Sequence, residues 1–486
     1  MNNLRMSLVR KSLVVAIAGA LTACSTLPHY SQPQTAVPDH FASAPQASAG
    51  WTIAAPADAQ PRGPWWTLYG DEELNRLEAQ VDVSNQTVQM AVAQLQAARA
   101  MVDYQRAGYA PTVTAGTAAQ RFRTSQNVVH KGLAGHTVPD FSAGVAASWE
   151  PDLFGRVKDA TVNARDNAQA SEADLQSVRL AVSADLATDY FDLRSLDRQK
   201  KLLDDSVKAY TAALGIVQQQ LKDGAIDASA VAQAQTQLES TRTQDSDIDV
   251  QRAQLQHAIA TLIGQPASSF SLPSKVETIA LPQIPTGVPS QLLERRPDIA
   301  AAERRVAAAN AQIGQARAAF YPDLTLSASA GLESSFFAPW LTASSLFWSL
   351  GSQLAGTLFD GGRRTAALKG ATAQYDGTVA DYRQTVLVAF QQVEDQLSSL
   401  DTLASEADSQ QRAVSAADLS LKLTTNRYQA GAVNYLDVVT AQTIALSNER
   451  TAEQIDARRV DASVQLLKAL GGDWNRAALT DANATN

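Results

Sequence analysis

The sequence predicts a mainly α-helical protein with membrane β-strands: long antiparallel helical hairpins, four strands per chain, and an internal two-fold repeat. Three observations predict it. The segment from Gly224 through Ala234-Gln235-Thr236 to Gly264 recurs, shifted by 207 positions and without a gap, as Gly431, Ala441-Gln442-Thr443 and Gly471. In each copy a long Ala/Gln-rich helical pattern meets a short Gly-centred turn, Lys222-Asp223-Gly224-Ala225 or Gln429-Ala430-Gly431-Ala432, and a second helical pattern returns. Glycine at the bend tolerates a left-handed backbone at least cost. Finally, each half carries segments whose period switches to two, the signature of strands.

A repeat this long in 486 residues argues for one elongated object built twice rather than several ordinary cores. Apolar content is dominated by Ala, which suits helices packed closely side by side over a long distance.

Residues 1–23 read as an export signal. Arg5, Arg10 and Lys11 precede an apolar run from Leu13 to Ala23 that is too short to span a bilayer as a helix. The run ends in Leu21-Thr22-Ala23-Cys24, which resembles a bacterial lipobox. The resemblance implies that Cys24 becomes the mature N-terminus, with S-diacylglycerol and N-acyl groups as its covalent lipid. Ser25 in place of Asp implies sorting to the outer membrane. The plain alternative is a soluble secreted protein whose signal happens to hold a cysteine. Cys24 is the single cysteine, so an internal disulfide or CxxC metal site is excluded. Loss of the signal takes the formal charge from −9 to −12, a poor prospect for nucleic acid.

Residues 24–64, rich in Pro, Ala, Gln and Ser without period, read as an extended tether after the lipid. The first repeat spans 65–264, with order expected from Trp65-Trp66-Thr67-Leu68-Tyr69. A helix starts near Asp71, with Leu74, Leu77, Val81, Val88, Val92 and Leu95 on one side, and runs towards Ala107, stopping before Pro111. Asp71, Glu72 and Glu73 suit the positive end of its dipole.

The strands follow. Phe141, Ala143, Val145, Ala147 and Trp149 alternate with small or polar residues, and Thr112–Phe122 is a weaker match. In the second repeat Leu324, Leu326, Ala328, Ala330 and Leu332 alternate with Thr325, Ser327, Ser329 and Gly331. The last strand is expected from Leu346 to Leu358, with Leu346, Trp348, Leu350, Leu354 and Leu358 on one face. Phe336, Phe337 and Trp340 in the intervening loop could form an aromatic belt. These strands have about the length, roughly 9–11 residues, that crosses a bilayer when tilted. Four strands cannot close a barrel, and an open edge in lipid leaves unpaired N–H and C=O groups. Eight strands from two copies enclose an interior filled by side chains, whereas twelve from three leave a lumen. Alternation alone would favour two β-hairpins packed on the helical body of a soluble protein; export, the lipobox and the small polar opposite faces favour the membrane.

Gly-punctuated transitions, Glu150-Pro151-Asp152-Leu153-Phe154-Gly155-Arg156 and Thr357-Leu358-Phe359-Asp360-Gly361-Gly362-Arg363, lead into helices over about 157–221 and 365–428. Each is on the order of 100 Å long if unbroken. On the first returning helix Val231, Ala234, Leu238, Thr241, Asp245, Ile248, Arg252, Leu255, Ile259 and Leu262 recur at coiled-coil spacing, and the charges in that stripe predict a partly wet seam. A Pro-rich connector, 265–297, joins the second repeat, 298–472, and a tail occupies 473–486.

The run Leu292-Leu293-Glu294-Arg295-Arg296-Pro297-Asp298-Ile299-Ala300-Ala301-Ala302-Glu303-Arg304-Arg305, with Arg317-Ala318-Ala319-Phe320-Tyr321-Pro322-Asp323-Leu324-Thr325-Leu326, closely resembles the TolC-like outer-membrane factors. The likeness is to the NodT-type lipoprotein branch serving tripartite efflux pumps, and with the lipobox and hairpins it covers nearly all of the chain from Trp65. It implies a homotrimer whose shared twelve-stranded barrel continues into a periplasmic α-barrel, working with a periplasmic adaptor and an inner-membrane pump. The expected role is passive conduction of drugs or toxic small organic compounds to the exterior, from a seat in outer-membrane lipid.

The resemblance places the adaptor-facing tips at Asp223, Gly224, Ala225, Ala430, Gly431 and Ala432, with Tyr428 as latch and Leu436 as constriction of a periplasmic gate, to which Asp437, one turn before the Ala-Gln pair, is added as a candidate. Where the family often carries Asp and Arg around the Ala-Gln pair, this chain has Thr440 and Thr443, which puts a charged latch there in doubt. Three Asp437 carboxylates could instead form a cation-admitting ring; the plain alternative is a solvated helix-start residue. An enzyme is disfavoured, since the five histidines lack metal spacing and no phosphate-binding glycine loop occurs. The second reading is a periplasmic coiled-coil adaptor or structural lipoprotein without a pore.

Overall fold

The computed structural model describes residues 27–43, 64–127, 135–284 and 295–474. Two compact units divide it, each drawing on both repeats: one takes in Leu95–Ala170 and Ala302–Tyr382 with the first described residues to Pro33, the other Gln34–Gln94, Ser171–Ala301 and the chain from Arg383.

The first unit holds the sheet. Strands β1 (Thr112–Arg123), β2 (Thr137–Trp149), β3 (Asp323–Ser334) and β4 (Leu346–Ala355) pair antiparallel in that order. Their register sorts the faces. Val113, Ala147, Ala328 and Leu350 stand opposite one another across all four strands, as do Thr114, Ala146, Ser329 and Ser349 on the reverse. One face is therefore apolar, with Trp348 and Leu350 more than 70% exposed, and the other is small and hydroxyl-bearing; the Ser329 and Ser349 hydroxyls bond at 2.7 Å. Across the sheet Gly116, Gly144 and Gly331 form a row ending at Phe347. A Cβ on Gly331 would lie 2.4 Å from the Ala143 carbonyl oxygen and 3.0 Å from the Phe347 ring, so the ring occupies the space the row leaves.

The fourth strand is shorter than expected. It ends at Ala355, and Leu358 lies beyond it, fully exposed; a Cβ on Gly356 would sit 3.3 Å from the Pro322 ring. In the loop before β4 the expected aromatic group forms around Phe141, whose ring is 5.5 Å from Phe337 and 5.9 Å from Trp340.

The helices are α1 (Glu72–Ser84), α2 (Gln86–Arg106), α3 (Arg156–Lys222), α4 (Ala228–Leu262), α5 (Pro297–Ala318), α6 (Arg363–Gln429) and α7 (Tyr435–Ala469). The bounds of α6 and α7 are those of α3 and α4 shifted by 207, so the sequence repeat is a structural one. The transitions into α3 and α6 share a device. Asp152 accepts from the Val157 and Lys158 amides, and Asp360 from Gly362 and Arg364, the carboxylate satisfying orphan N–H groups at the helix start.

The single helix expected from Asp71 towards Ala107 is two. Asp71 caps α1, accepting from the Glu73 and Leu74 amides. At Asn85 the backbone turns extended, and its side chain accepts from the Val88 amide at 3.0 Å while donating to the Leu262 carbonyl at 2.7 Å. In the second repeat Arg296 donates to the Ala469 carbonyl, 207 residues after Leu262. Both returning helices thus end on a side chain that precedes a short helix. Gly264 and Gly471 follow those ends at φ +70° and +88°, with the Ser84 and Arg295 carbonyls against them.

The α3–α4 seam is closed by Leu196, Leu203, Tyr210, Leu238 and Ile248, the expected stripe among them. Its two charges are paired while partly exposed: Asp245 meets Lys200 at 2.8 Å, and Arg252 meets the fully buried Asp197 at 2.7 Å. Asp197 also accepts from Arg194 and from the Lys275 amide, which fastens the connector to the hairpin.

Residues 27–43, expected as free tether, form no helix or strand yet are held. In the second unit Phe41 is buried, and the Ala42 and Ser43 amides donate to the Glu394 carboxylate at 2.7 and 2.9 Å. The sequence concealed this because the acceptor lies some 350 residues away. Cys24 and the rest of the signal lie outside the described residues.

Glu78 on α1 is buried at 3% exposure and accepts from the Ser183 hydroxyl. Burial pushes its carboxyl up to about 8, the Ser183 bond opposes this, and Asp82 adds to it. A raised carboxyl favours the folded state at low pH, and that advantage is lost as pH rises from the ordinary value, near 4.5, through 8. Glu78→Gln should therefore stabilise increasingly between pH 5 and 8 and level off above, by about 2–4 kcal/mol. Thermal melting of both proteins across that range checks it; a constant difference would refute the buried neutral acid.

Candidate functional site

The ends of the two hairpins, all within the second unit, carry the residues that the sequence singled out. Helix α3 stops after Lys222 because Gly224 adopts φ +72°; its amide bonds the Leu221 carbonyl and the Ala225 amide reaches back to Gln220. In the repeat Gly431 at φ +70° does the same, with Gly431 bonded to Tyr428 and Ala432 to Arg427. Each turn satisfies the last carbonyls of its helix and reverses the chain. Asp223, Gly224, Ala225, Ala430, Gly431 and Ala432 are all exposed, and nothing lies within 4 Å of where either glycine would carry a Cβ.

Tyr428 ties the hairpins together. Its hydroxyl donates to the Gln220 amide oxygen at 2.6 Å, and its ring meets Tyr435 edge-on at 5.4 Å. Both rings join Val217, Ala234 and Val438 in an apolar cluster spanning both turns. Burial raises the Tyr428 hydroxyl above its usual range, so it stays a neutral donor.

Leu436 and Asp437 stand differently. Leu436 is half exposed and packs in no cluster among the described residues. Asp437 completes a capping box: Asn434 accepts from the Asp437 amide at 3.1 Å, and the Asp437 carboxylate accepts from the Asn434 amide at 3.2 Å. Helix initiation thus gives Asp437 a local role while leaving its carboxylate exposed. The geometry brings Tyr428 and Tyr435 together and leaves Leu436 and Asp437 facing outward from the single chain.

Further bonds join α4 to α7. Thr443 donates to Gln237 at 3.2 Å and, one heptad on, Arg450 donates to Gln244 at 2.6 Å. A second Arg450 nitrogen, Nε, is buried without a partner. Thr440 bonds only its own helix, at the Leu436 carbonyl. Thr440 and Thr443 are neutral, and Arg450 lies seven residues beyond Thr443. The signal for this seam was the repeat itself, since its pairs join residues 206 positions apart, one short of the repeat offset, and repeated helices packed side by side bring near-equivalent residues together. Outside the seam, a shallow groove lined by Leu419, Leu423, Arg427, Ala430 and Ala432 runs along α6 to its tip. Its leucines are more than half exposed.

The two hairpin ends thus present exposed turns joined by one side-chain hydrogen bond and one aromatic contact. Among the described residues no helix is long and apolar enough to cross a membrane.

The family profile described as outer membrane efflux protein matches residues 79–265 and 288–472, the two repeats. The chain is 32% identical over 462 residues to outer membrane protein OprJ of Pseudomonas aeruginosa, covering 94% of this chain and 95% of that one. It is 30% identical to the cation efflux system protein CusC of Escherichia coli O6:H1, over 96% and 99% of the two chains. Among solved structures it superposes on the open state of the Neisseria gonorrhoeae MtrE outer membrane channel with a TM-score of 0.80 at 26% identity, covering 93% of this chain and 99% of that chain.

Proposed function

Because this chain belongs to the outer membrane efflux protein family, we propose that three copies close one barrel and that the hairpin tips form its gate and its docking end. It is an outer-membrane channel of a tripartite efflux system and extends into the periplasm. The channel conducts passively, and energy comes from the pump. The observation that carries the trimeric reading is the sheet. It has one apolar face and one hydroxyl-bearing face, and among the described residues β1 and β4 each pair on one side only. Unpaired edges in lipid cost several kcal/mol per group, and neighbouring copies remove them. Twelve strands then enclose a water-filled lumen lined by Ser, Thr and Gly, without strong selectivity.

In this reading Cys24 is acylated and anchors the mature chain. The tips Asp223–Ala225 and Ala430–Ala432 meet the periplasmic adaptor. Tyr428 is the clasp, Leu436 the constriction, and three Asp437 carboxylates face one another where the copies converge. Cargo is set by pump and adaptor; drugs or toxic small organic compounds fit a wide neutral lumen.

Single-channel recording in planar bilayers tests the gate. A neutral hydrogen bond is worth about 1 kcal/mol, about fivefold in a two-state equilibrium. Tyr428→Phe should therefore raise the open-to-closed ratio about fivefold, and Asp437→Ala should reduce cation preference. Unchanged gating in Tyr428→Phe would remove the clasp. Unchanged selectivity in Asp437→Ala would leave that residue as a helix cap alone.

A further inference from the structure

Where all four strands pair, the hydroxyl-bearing face carries one aromatic ring, that of Phe347. It stands in the row of Gly116, Gly144 and Gly331, next to the row of Ser329 and Ser349. Side chains on a strand ordinarily stand off the sheet. Yet of the ten residues of β4 only Phe347 is not exposed. Its ring lies down along the row, with Cε1 at 3.0 Å from where Gly331 would carry a Cβ. Glycine weakens a strand interior, so three side by side need a reason. Close strand approach explains Gly144, whose Cβ would lie 2.7 Å from the Ala330 carbonyl oxygen, but not Gly116, where nothing lies within 4 Å. What all three supply is a floor of bare backbone beside the ring.

Resting on the reading that this face lines the lumen of a shared barrel, we propose that the glycine row is a recess which holds Phe347 flat against the wall and keeps the bore open to bulky solutes at that level. Three copies set three rings at one height by symmetry. Side chains standing off a sheet fill about half of the roughly 10 Å between packed sheets, so each upright ring would take about 5 Å from the bore. Laid down, the rings leave the passage as wide as the rows of small residues beside them. Gly331 is then a positioning residue that acts through Phe347, and solute size is what the pair controls.

The full-length chain in the outer membrane of intact cells carries the test. Gln353 is exposed on the same face of β4, six residues nearer the helices than Phe347, about 20 Å along the strand. A reagent entering from the loop end therefore passes the ring before it reaches Gln353→Cys. Maleimides with polymer tags of increasing size are added outside, and labelling is counted over that of the unaltered chain, whose single cysteine is Cys24. Phe347→Ala should leave the rate of the widest admitted tag nearly unchanged, because a reclining ring blocks little. Ser349→Phe puts a ring in the row of Thr114, Ala146 and Ser329, where side chains leave no recess. It should slow that tag several-fold and leave untagged maleimide unaffected. Gly331→Ala should do the same by lifting the ring, and adding Phe347→Ala should restore the rate, which a general disturbance of the sheet would not allow. Ser349→Phe alters no glycine, so it decides the matter even if Gly331→Ala fails to fold. A several-fold gain in Phe347→Ala, or no loss in Ser349→Phe, would overturn the proposal. Failure of untagged maleimide to reach Gln353→Cys would instead remove the lumen reading, and the recess with it.

Discussion

Gly471→Ala and Gly264→Ala should each destabilise the second unit by about 2–5 kcal/mol, whereas Gly224→Ala should cost about 1–2 kcal/mol. All three glycines have φ near +70° to +90°. For an alanine that backbone costs roughly 1–2 kcal/mol. The difference is in what surrounds them. A Cβ on Gly471 would lie 2.1 Å from the Arg295 carbonyl oxygen, and on Gly264 2.2 Å from that of Ser84, whereas nothing lies within 4 Å at Gly224. Overpacking against backbone adds about 1–3 kcal/mol, because neither carbonyl is the end of a flexible side chain. These contacts close the junction where a returning helix meets the short helix of its repeat. With a total stability of about 5–15 kcal/mol, the double variant should not accumulate as folded protein. Thermal and denaturant unfolding of the three single variants checks the order; equal losses would show that φ alone governs.

Asp197→Ala should cost about 3–5 kcal/mol, the second largest effect, because it strands two guanidinium groups. The Asp197 side chain is fully buried, Arg194 is 5% exposed, and Arg252 is 17% exposed. Removing one member of a buried ionic cluster leaves the others desolvated without compensation. Arg194 and Arg252 also donate to the Pro273 and Leu272 carbonyls, so the connector should loosen with them. By contrast the exposed pair Arg458–Glu406 should lose at most about 1 kcal/mol in Glu406→Ala. Burial acts to raise the Asp197 carboxyl, but bonds from Arg252, Lys275 and Arg194 hold it below the usual carboxylate range. Its contribution is therefore complete above about pH 4 and is lost as pH falls through the depressed value. Wild type and Asp197→Ala should converge in stability as the medium becomes strongly acidic. A gap that persists there would point to packing rather than charge.

What was legible in the sequence had a local or periodic cause. The glycines of the two turns, the helices between them and the alternating faces of the strands follow from φ preferences and from periods of 3.6 and two. Equal spacing of the two repeats fixed the hairpins. Other features depend on partners that no local pattern announces. The break at Asn85 hides inside a continuous apolar stripe, Leu77 to Leu95, and is made by a bond to Leu262. Residues 27–43 have the composition of a linker, yet Glu303, Asn310 and Glu394 hold them from helices 270 to 350 residues away. Asp245 and Arg252 interrupt an apolar stripe and so suggested water, when the compensating Lys200 and Asp197 lay on the facing helix. In the gate, Tyr428 was legible from family resemblance, but its partner Gln220 and the Gln237–Thr443 and Gln244–Arg450 seam emerge only when the repeats are laid side by side.

The central claim is that the sheet is one third of a shared barrel. Its most direct test is the protein mass of the detergent-extracted particle, corrected for bound detergent. Three chains per particle are predicted; a monomer that stays soluble without detergent would contradict the account, since a single open sheet with an apolar face cannot lie in a bilayer alone.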